Sequence, residues 1–384
     1  MHQEHAFVTS RRAYKFRLYP TKRQARLLEE TREECRWLYN QLLEQRILAY
    51  KELDLSLTKY QQTTLLPLMK LERTSLELVH SQVLQNVVDR LDKSFQAFFR
   101  RVKEGEKPGF PRFRGFHRYD SFCYPQSGFS FEKGLIKLSK IGHIKIKQHR
   151  TIQGTLKTCT ILKEANGAWY VSLSCEVQAK PLPKNNKAIA LDVGLENFAT
   201  LSDGTTIQNP RFFKKDEKAL GKAQRKLSKL DKGTPERRKA GKACAKIHRR
   251  IRNRRENFCH QLSRQLINEY QYICVEDLNV KEMVQGSYLA KSITDASWSQ
   301  FNRFLSYKAE DAGRNIGAVN PAYTSQTCSQ CGHVQAKELS ERLHICQVCG
   351  YEAHRDFNAA RNILALGLDG LGAIPRSSRL QARE

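Results

Sequence analysis

Two C-x-x-C knuckles constrain this chain more than any other feature. They are Cys328-Ser329-Gln330-Cys331 and Cys346-Gln347-Val348-Cys349, with 14 residues between them. Knuckles at this separation can place four thiolates tetrahedrally around a zinc ion. A closed four-sulfur set leaves no open coordination position, so the metal is expected to be structural. Gly332 and Gly350 each follow a knuckle, where the tight turn needs a residue tolerant of unusual dihedrals. His333, His344 and His354 lie close by but are not needed as ligands. The other seven cysteines (Cys35, Cys123, Cys159, Cys175, Cys244, Cys259, Cys274) fall mostly in apolar patterns and read as buried, reduced thiols.

A length of 384 residues allows two or three domains, and 40% hydrophobic residues make the chain globular. A net charge of +27 and a pI near 9.7 make a polyanion the default partner. No apolar run of about 18 residues is present, and the N-terminus lacks the apolar core of a signal peptide. The expected location is therefore cytoplasmic, with no membrane partner.

Taken in order, Ala13–Leu18 alternates and ends at Tyr19-Pro20, which reads as one strand. Thr21 can cap a helix to about Leu53, with Leu27, Leu28, Cys35, Leu38, Tyr39 and Leu42 on one face. A second helical region spans Leu57 to Lys103, interrupted by Pro67. Its stripe of Leu84, Val87, Val88, Leu91, Phe95 and Phe98 reads as core. From 116 to 180 the pattern is short strands, including a hairpin around Asn166-Gly167, as in a small β-barrel. The strand at 13–18 has no neighbour in sequence, so the helical unit is expected to be inserted between it and the rest of that barrel.

Beyond Pro181-Leu182-Pro183 the pattern changes again. Ala188–Leu191 is an apolar strand ending in Asp192-Val193-Gly194, and two short strands follow around Asp203-Gly204. Three successive short strands are expected to be antiparallel. Residues 214–255 hold eighteen Lys or Arg against four acids, split by Gly233-Thr234-Pro235 into two helices. Such a face repels itself unless a polyanion is bound, which marks it as a phosphate-tracking hairpin. Its candidate contacts are Arg249, Arg250, Arg252, Arg254 and Arg255. Tyr272–Glu276 is a second buried strand ending in an acid, Trp298–Gly313 a helix, and Ile316–Val319 a strand.

Asp192, Glu276 and Asp356 thus each stand at a strand end or a helix start. The order is strand-Asp, antiparallel strands, helices, strand-Glu, helix, strand, then Asp opening a last helix. That is the element order of an RNase H-like fold. Three converging carboxylates cannot stay charged together without cations. Two Mg²⁺ ions would neutralise them and clamp a scissile phosphate, activating water and stabilising the leaving oxygen. Asp277 is the rival to Glu276, but successive strand residues face opposite ways, and helix capping suits Asp277 better. Glu196 and Asp203 read as loop acids. Asn358 could assist the metals or play an ordinary first-turn role.

Together these residues resemble the TnpB family, insertion-sequence-encoded RNA-guided DNA nucleases related to the type V CRISPR effectors. The resemblance rests on Asp192-Val193-Gly194, Val275-Glu276-Asp277-Leu278, the paired knuckles and Arg355-Asp356-Phe357-Asn358-Ala359-Ala360-Arg361-Asn362. Tyr14–Thr21, Leu84-Gln85-Asn86, Phe98-Phe99-Arg100, Gly109–Phe113 and Ser292–Trp298 extend it over almost the whole chain. The resemblance implies a multidomain α+β protein. Its parts would be a wedge β-barrel (1–20 and 108–183) split around a helical recognition domain (21–107), and an RNase H-like RuvC nuclease domain. The nuclease parts would be 184–322, with the basic hairpin at 214–256, and 354–368, interrupted by a zinc ribbon at 323–353; a loose tail occupies 369–384. The resemblance further implies a structured guide RNA from the element end, a double-stranded DNA target and a monomeric ribonucleoprotein near the nucleoid. Target-adjacent motif reading would fall near Lys59, Ser81, Gln82, Gln85 and Cys123. Two other readings are a guided repressor that does not cut, and an RNA-free RuvC-type transposase or resolvase.

Overall fold

The computed structural model describes residues 9–116, 118–179, 181–338 and 341–372. The chain divides after Gln178 into two compact units.

The first unit begins with β1 (Thr9–Tyr19), which alternates as expected and buries Tyr14, Phe16 and Leu18. Thr21 caps α1 (Lys22–Leu53) in a reciprocal box. Its hydroxyl accepts from the Gln24 amide at 3.3 Å, and the Gln24 side chain accepts from the Thr21 amide at 3.0 Å. Leu28, Cys35, Leu38, Tyr39 and Leu42 form the buried stripe of α1, whereas Leu27 is only partly buried.

The region expected as one helix with a break at Pro67 is more fragmented. It forms α2 (Lys59–Thr64), α3 (Leu66–Glu72), a 3₁₀ turn (Thr74–Leu78) and α4 (Ser81–Lys103). Pro67 lies in the first turn of α3, where its missing N–H costs nothing, so it begins a helix instead of interrupting one. Val83, Leu84, Val87, Val88, Leu91 and Phe95 of α4 are buried in the shared core.

The remaining strands are β2 (Ser121–Tyr124), β3 (Phe129–Glu132), β4 (Leu135–Leu138), β5 (Gly142–Lys147), β6 (Thr155–Lys163) and β7 (Trp169–Gln178). With β1 they form one sheet in the order β2-β6-β7-β1-β5-β4-β3. β1 pairs antiparallel with both β7 and β5, so the first strand and the later ones share a sheet and the helices are inserted between them. The two edge strands, β2 and β3, are consecutive in sequence and joined only by residues 125–128. So short a link forces the sheet to curl until its edges meet. Tyr124 at the end of β2 closes the seam, its hydroxyl donating to the Ser139 carbonyl at 3.1 Å.

The second unit is built on a five-stranded sheet. β8 (Ala188–Val193), β9 (Asn197–Leu201) and β10 (Thr206–Gln208) are antiparallel, as the sequence pattern suggested. α5 (Phe212–Ser228) and α6 (Pro235–Glu269) follow, then β11 (Tyr272–Glu276), α7 (Val280–Val284), α8 (Ala290–Ala296), α9 (Trp298–Ala312) and β12 (Asn315–Val319). The strand order is β10-β9-β8-β11-β12, with β11 parallel to both β8 and β12. The last elements are the hairpin strands β13 (Leu343–Ile345) and β14 (Glu352–His354), and α10 (Arg355–Gly370).

β8 and β11 read as unbroken apolar runs because helices cover both faces of this sheet. Ile189, Leu191, Ile273 and Val275 join one cluster with α6 and α9 residues such as Leu262, Phe301 and Leu305. Ala190 and Cys274, pointing the other way, pack with Val319 and Ile363 of α10. α10 lies unusually close to the strands. A Cβ added at Gly367 would sit 2.4 Å from the Cys274 Sγ, so only glycine permits the approach.

Candidate functional site

The pleat of these strands fixes where the acids face. Side chains two residues apart share a face. Asp192 therefore shares the face of Ala190, and Glu276 that of Cys274, which is the face covered by α10. Leu191 is in register with Val275 on the neighbouring parallel strand, and one further step along that register sets Asp192 beside Glu276. The helix on that face carries Asp356 in its first turn. Three acids from three distant stretches of sequence thus converge at one end of the sheet.

Their electrostatics show the crowding. Burial first, then the negative charges of Glu276 and Asp356, push the Asp192 carboxyl well above its ordinary range, against an opposing pull from Arg355. Glu276 is buried, and desolvation raises it too, while a hydrogen bond from the Thr324 hydroxyl at 2.8 Å pulls it back. Asp356 lies 3.5 Å from the Arg355 Nε, and the His354 side chain caps its helix by accepting from the Asp356 amide. Three carboxylates set together, with Asp192 buried against the charges of the other two, form a donor set that fits divalent cations. Asp277 is exposed and outside this set. It does not cap α7; the side chain of Asn279 does, accepting from the Glu282 amide at 3.3 Å. Asp203 and Glu196 are loop acids: Asp203 accepts from the Thr205 amide, and Glu196 pairs with Arg342.

The four cysteines of the knuckles also come together. Their sulfurs all lie within 4.8 Å of one another, with Cys328–Cys349 at 3.7 Å and Cys331–Cys346 at 3.6 Å. A tetrahedron with metal–sulfur bonds of ~2.3 Å has edges of about 3.8 Å, so the cluster fits a zinc ribbon. The backbone amides of Cys349 and then Val348 lower the Cys346 thiol, while desolvation and the neighbouring sulfurs push the Cys331 and Cys349 thiols up, so the thiols titrate together. Gly332 and Gly350 adopt φ of 78° and 73° after their knuckles, as the turn requires.

Asn358 performs neither role suggested by the sequence. It is fully buried, its Oδ1 accepts from the Ser329 amide at 2.9 Å, and its Nδ2 donates to the Thr327 carbonyl at 2.7 Å. Asn362, one turn later, donates to the Thr324 and Thr327 carbonyls. The pair ties the helix of the third acid to the first knuckle.

Three family models match the chain. One described as "Probable transposase" matches residues 172–286, a "Cas12f1-like, TNB domain" 298–363, and a "Helix-turn-helix domain" 10–54. A protein of Streptomyces pristinaespiralis named "Putative RNA-guided DNA endonuclease" is 34% identical over 96% of this chain and 94% of its own length. One of Escherichia coli (strain K12), with the same name followed by InsQ, is 32% identical over 92% of each. The chain belongs to the TnpB family. A solved structure of a Cas12f1–sgRNA–target DNA complex matches the TnpB fold seen here with a TM-score of 0.60, at 14% identity, over 92% of this chain and 98% of that one. The span matched as a helix-turn-helix is in this TnpB protein a strand followed by one 32-residue helix.

In this TnpB chain the basic segment forms α5 and α6, with Thr234 capping α6 and Pro235 in its first turn. Its five singled-out arginines are not equivalent. Arg250 and Arg254 both reach Asp216, and about half of each side chain stays exposed. Arg255 is turned inward, 18% exposed, against Asp295 at 2.7 Å. Asp295 also accepts from the Phe213 amide with both oxygens at 2.9 Å, fastening the start of α5. Arg249, Arg250 and Arg254 line an open groove of about 350 Å³ with Lys246, Asn253 and Asn257. This asymmetry depends on acids 34 to 40 residues away in sequence and has no local signal.

The five candidate motif readers also differ. Ser81 and Gln85 are exposed, one turn apart on α4. The Gln82 Oε1 accepts from the Ser127 amide and hydroxyl at 2.8 and 2.9 Å. Lys59 pairs with Asp89 at 2.5 Å. Cys123 is buried in β2 and offers no thiol at the surface.

Proposed function

We propose that this TnpB-family protein is an RNA-guided DNA endonuclease of a transposable element. It would use a guide RNA from the element end to cleave double-stranded target DNA next to a short adjacent motif, by metal-dependent phosphodiester hydrolysis. The observation that carries this reading is the placing of Asp192 and Glu276 on one face of adjacent parallel strands, under the helix that opens with Asp356. The names of the two full-length relatives point the same way.

In this reading Asp192, Glu276 and Asp356 hold two Mg²⁺ ions, which when bound supply the charge that activates water and stabilises the leaving oxygen. The negative charges of Glu276 and Asp356 crowd Asp192, and a bound cation would relieve that repulsion. α10 closes one face of the sheet and delivers the third carboxylate, and Thr324 holds one oxygen of the second. Cys328, Cys331, Cys346 and Cys349 hold one structural zinc. Arg249, Arg250, Arg252 and Arg254 track phosphates along α6, while Arg255 supports the hairpin from beneath. Ser81 and Gln85 are the motif readers best placed on an open surface. The working particle is one chain with its guide, acting on DNA in the cytoplasm of a prokaryotic cell. No described helix is long and apolar enough to cross a membrane.

A non-cutting repressor has no use for three crowded acids, and an RNA-free resolvase has none for the inserted helical unit. The test is a guide-programmed cleavage assay on separately labelled strands. One set of metals serves both strands, so Asp192→Ala should abolish cutting of both while target binding survives. Wild-type cutting of either strand by the variant would mean a second nuclease centre.

A further inference from the structure

Thr324 lies between β12 and the first knuckle, and its side chain is taken up by neither. It is 4% exposed. Its hydroxyl reaches the Glu276 Oε1 at 2.8 Å, in a bond buried at both ends. The Pro321 carbonyl competes for the same proton from 3.1 Å. A hydroxyl has one proton, and the shorter, charge-assisted partner holds it. The Thr324 backbone is held independently, because its carbonyl accepts from the Asn362 Nδ2 at 2.8 Å. Asn362 stands on α10, the helix that begins beside Asp356.

We propose that Thr324 is a positioning residue for Glu276. It occupies Oε1, fixes the carboxylate plane, and so presents Oε2 to the cations in a single orientation. An outer hydroxyl of this kind orients a ligand that would otherwise rotate freely about its last bond. The geometry also makes Thr324 a point where the segment leading into the cysteine ribbon touches the acids. Four residues after it comes Cys328, whose knuckle is pinned to α10 by Asn358. Ribbon integrity therefore sets the pose of Glu276, although no cysteine reaches the acids. This inference rests on the reading of the three acids as the cation site.

The test compares Thr324→Val, Thr324→Ser and Glu276→Gln in the full chain with its guide RNA. Mn²⁺ binding is read by electron paramagnetic resonance, and zinc content and melting temperature are measured on the same samples. Valine keeps the shape and the backbone bond to Asn362 but removes the hydroxyl. It should weaken Mn²⁺ binding by roughly 10–100-fold, with zinc retained. The Mg²⁺ concentration for half-maximal cleavage should rise in step, and Thr324→Ser should recover most of the loss. If valine binds Mn²⁺ as the wild type does, the positioning role is wrong. A lower melting temperature with unchanged Mn²⁺ affinity also overturns it, since Thr324 would then only brace its own turn. If the valine variant does not fold, Thr324→Ala is read by the same criteria. Wild-type Mn²⁺ binding and cleavage by Glu276→Gln would instead overturn the three-acid reading itself.

Discussion

Asn358 and Ser329 are joined across the fold, side-chain oxygen to backbone amide, at 2.9 Å. Asn358 lies two residues after the third acid, and Ser329 directly follows the first cysteine. Asn358→Ala takes the side-chain partner from the half-buried Ser329 amide, whereas the Thr327 carbonyl keeps its bond from Asn362. The expected cost is about 1–3 kcal/mol of stability, with faster zinc loss to a chromogenic chelator. Unchanged melting and unchanged zinc release would show that the bond fastens nothing.

Gly367→Ala should be harmful although alanine favours helices. Its Cβ would lie 2.4 Å from the Cys274 Sγ and 2.6 Å from the Cys274 Cβ. Overpacking of this kind costs about 1–3 kcal/mol and lifts α10 from the sheet, taking Asp356 with it. Cleavage should fall together with stability. Adding Cys274→Ala should recover part of both, because the nearest clashing atom is gone. Simple additivity in the double-mutant cycle would argue against this contact.

Asp192→Asn should stabilise the Mg²⁺-free protein while abolishing cleavage. The folded carboxyl is raised above its unfolded value, so its contribution is fully present in acid. That contribution is lost as pH rises from the unfolded value through the folded one, at up to about 1.4 kcal/mol per pH unit. Asparagine has no such loss, so its advantage should grow between acid and neutral pH. Denaturant melts across this range decide the matter. A variant less stable than wild type at neutral pH would contradict the crowding of the three acids.

Arg254 and Arg255 are adjacent in sequence but should fail differently. Arg255→Gln strands the buried Asp295 carboxylate and should cost on the order of 3–5 kcal/mol. Arg254→Gln should cost under about 1 kcal/mol, since its side chain is 47% exposed. If Arg254 touches phosphate, its loss should lower the salt slope of RNA binding by about 1. Equal stability of the two variants would refute the assignment.

Much of this was legible in the sequence because it depends on local chemistry. The alternation of β1, the Thr21 cap and the knuckle glycines each announce themselves within a few residues. Asp192 and Glu276 stand out in the sequence because an apolar strand that runs into a carboxylate breaks its own pattern. β2 and β3 were not, since four-residue strands in a Ser-rich stretch carry too little periodicity. The division of residues 59–78 follows packing on α1 and α4 more than any breaker residue. Thr324, Asn358 and Asn362 look like ordinary polar residues until the fold sets Glu276 and the knuckle beside them. The inward turn of Arg255 and the burial of Cys123 likewise depend on distant neighbours. Residues 1–8 and most of the tail expected at 369–384 lie outside the described residues.

The helix that covers the acid-bearing face of the sheet is also the last one described along the chain. A ribosome makes Asp192 first, Glu276 some eighty residues later, and Asp356 only after the whole ribbon has emerged. On the three-acid reading, a nascent or prematurely released chain has an uncovered sheet and an incomplete cation site. Such a chain lacks, on that reading, the means to cut. On that reading cutting waits for the synthesis of this helix and of the ribbon before it, so a nuclease unfinished at that point is a harmless one.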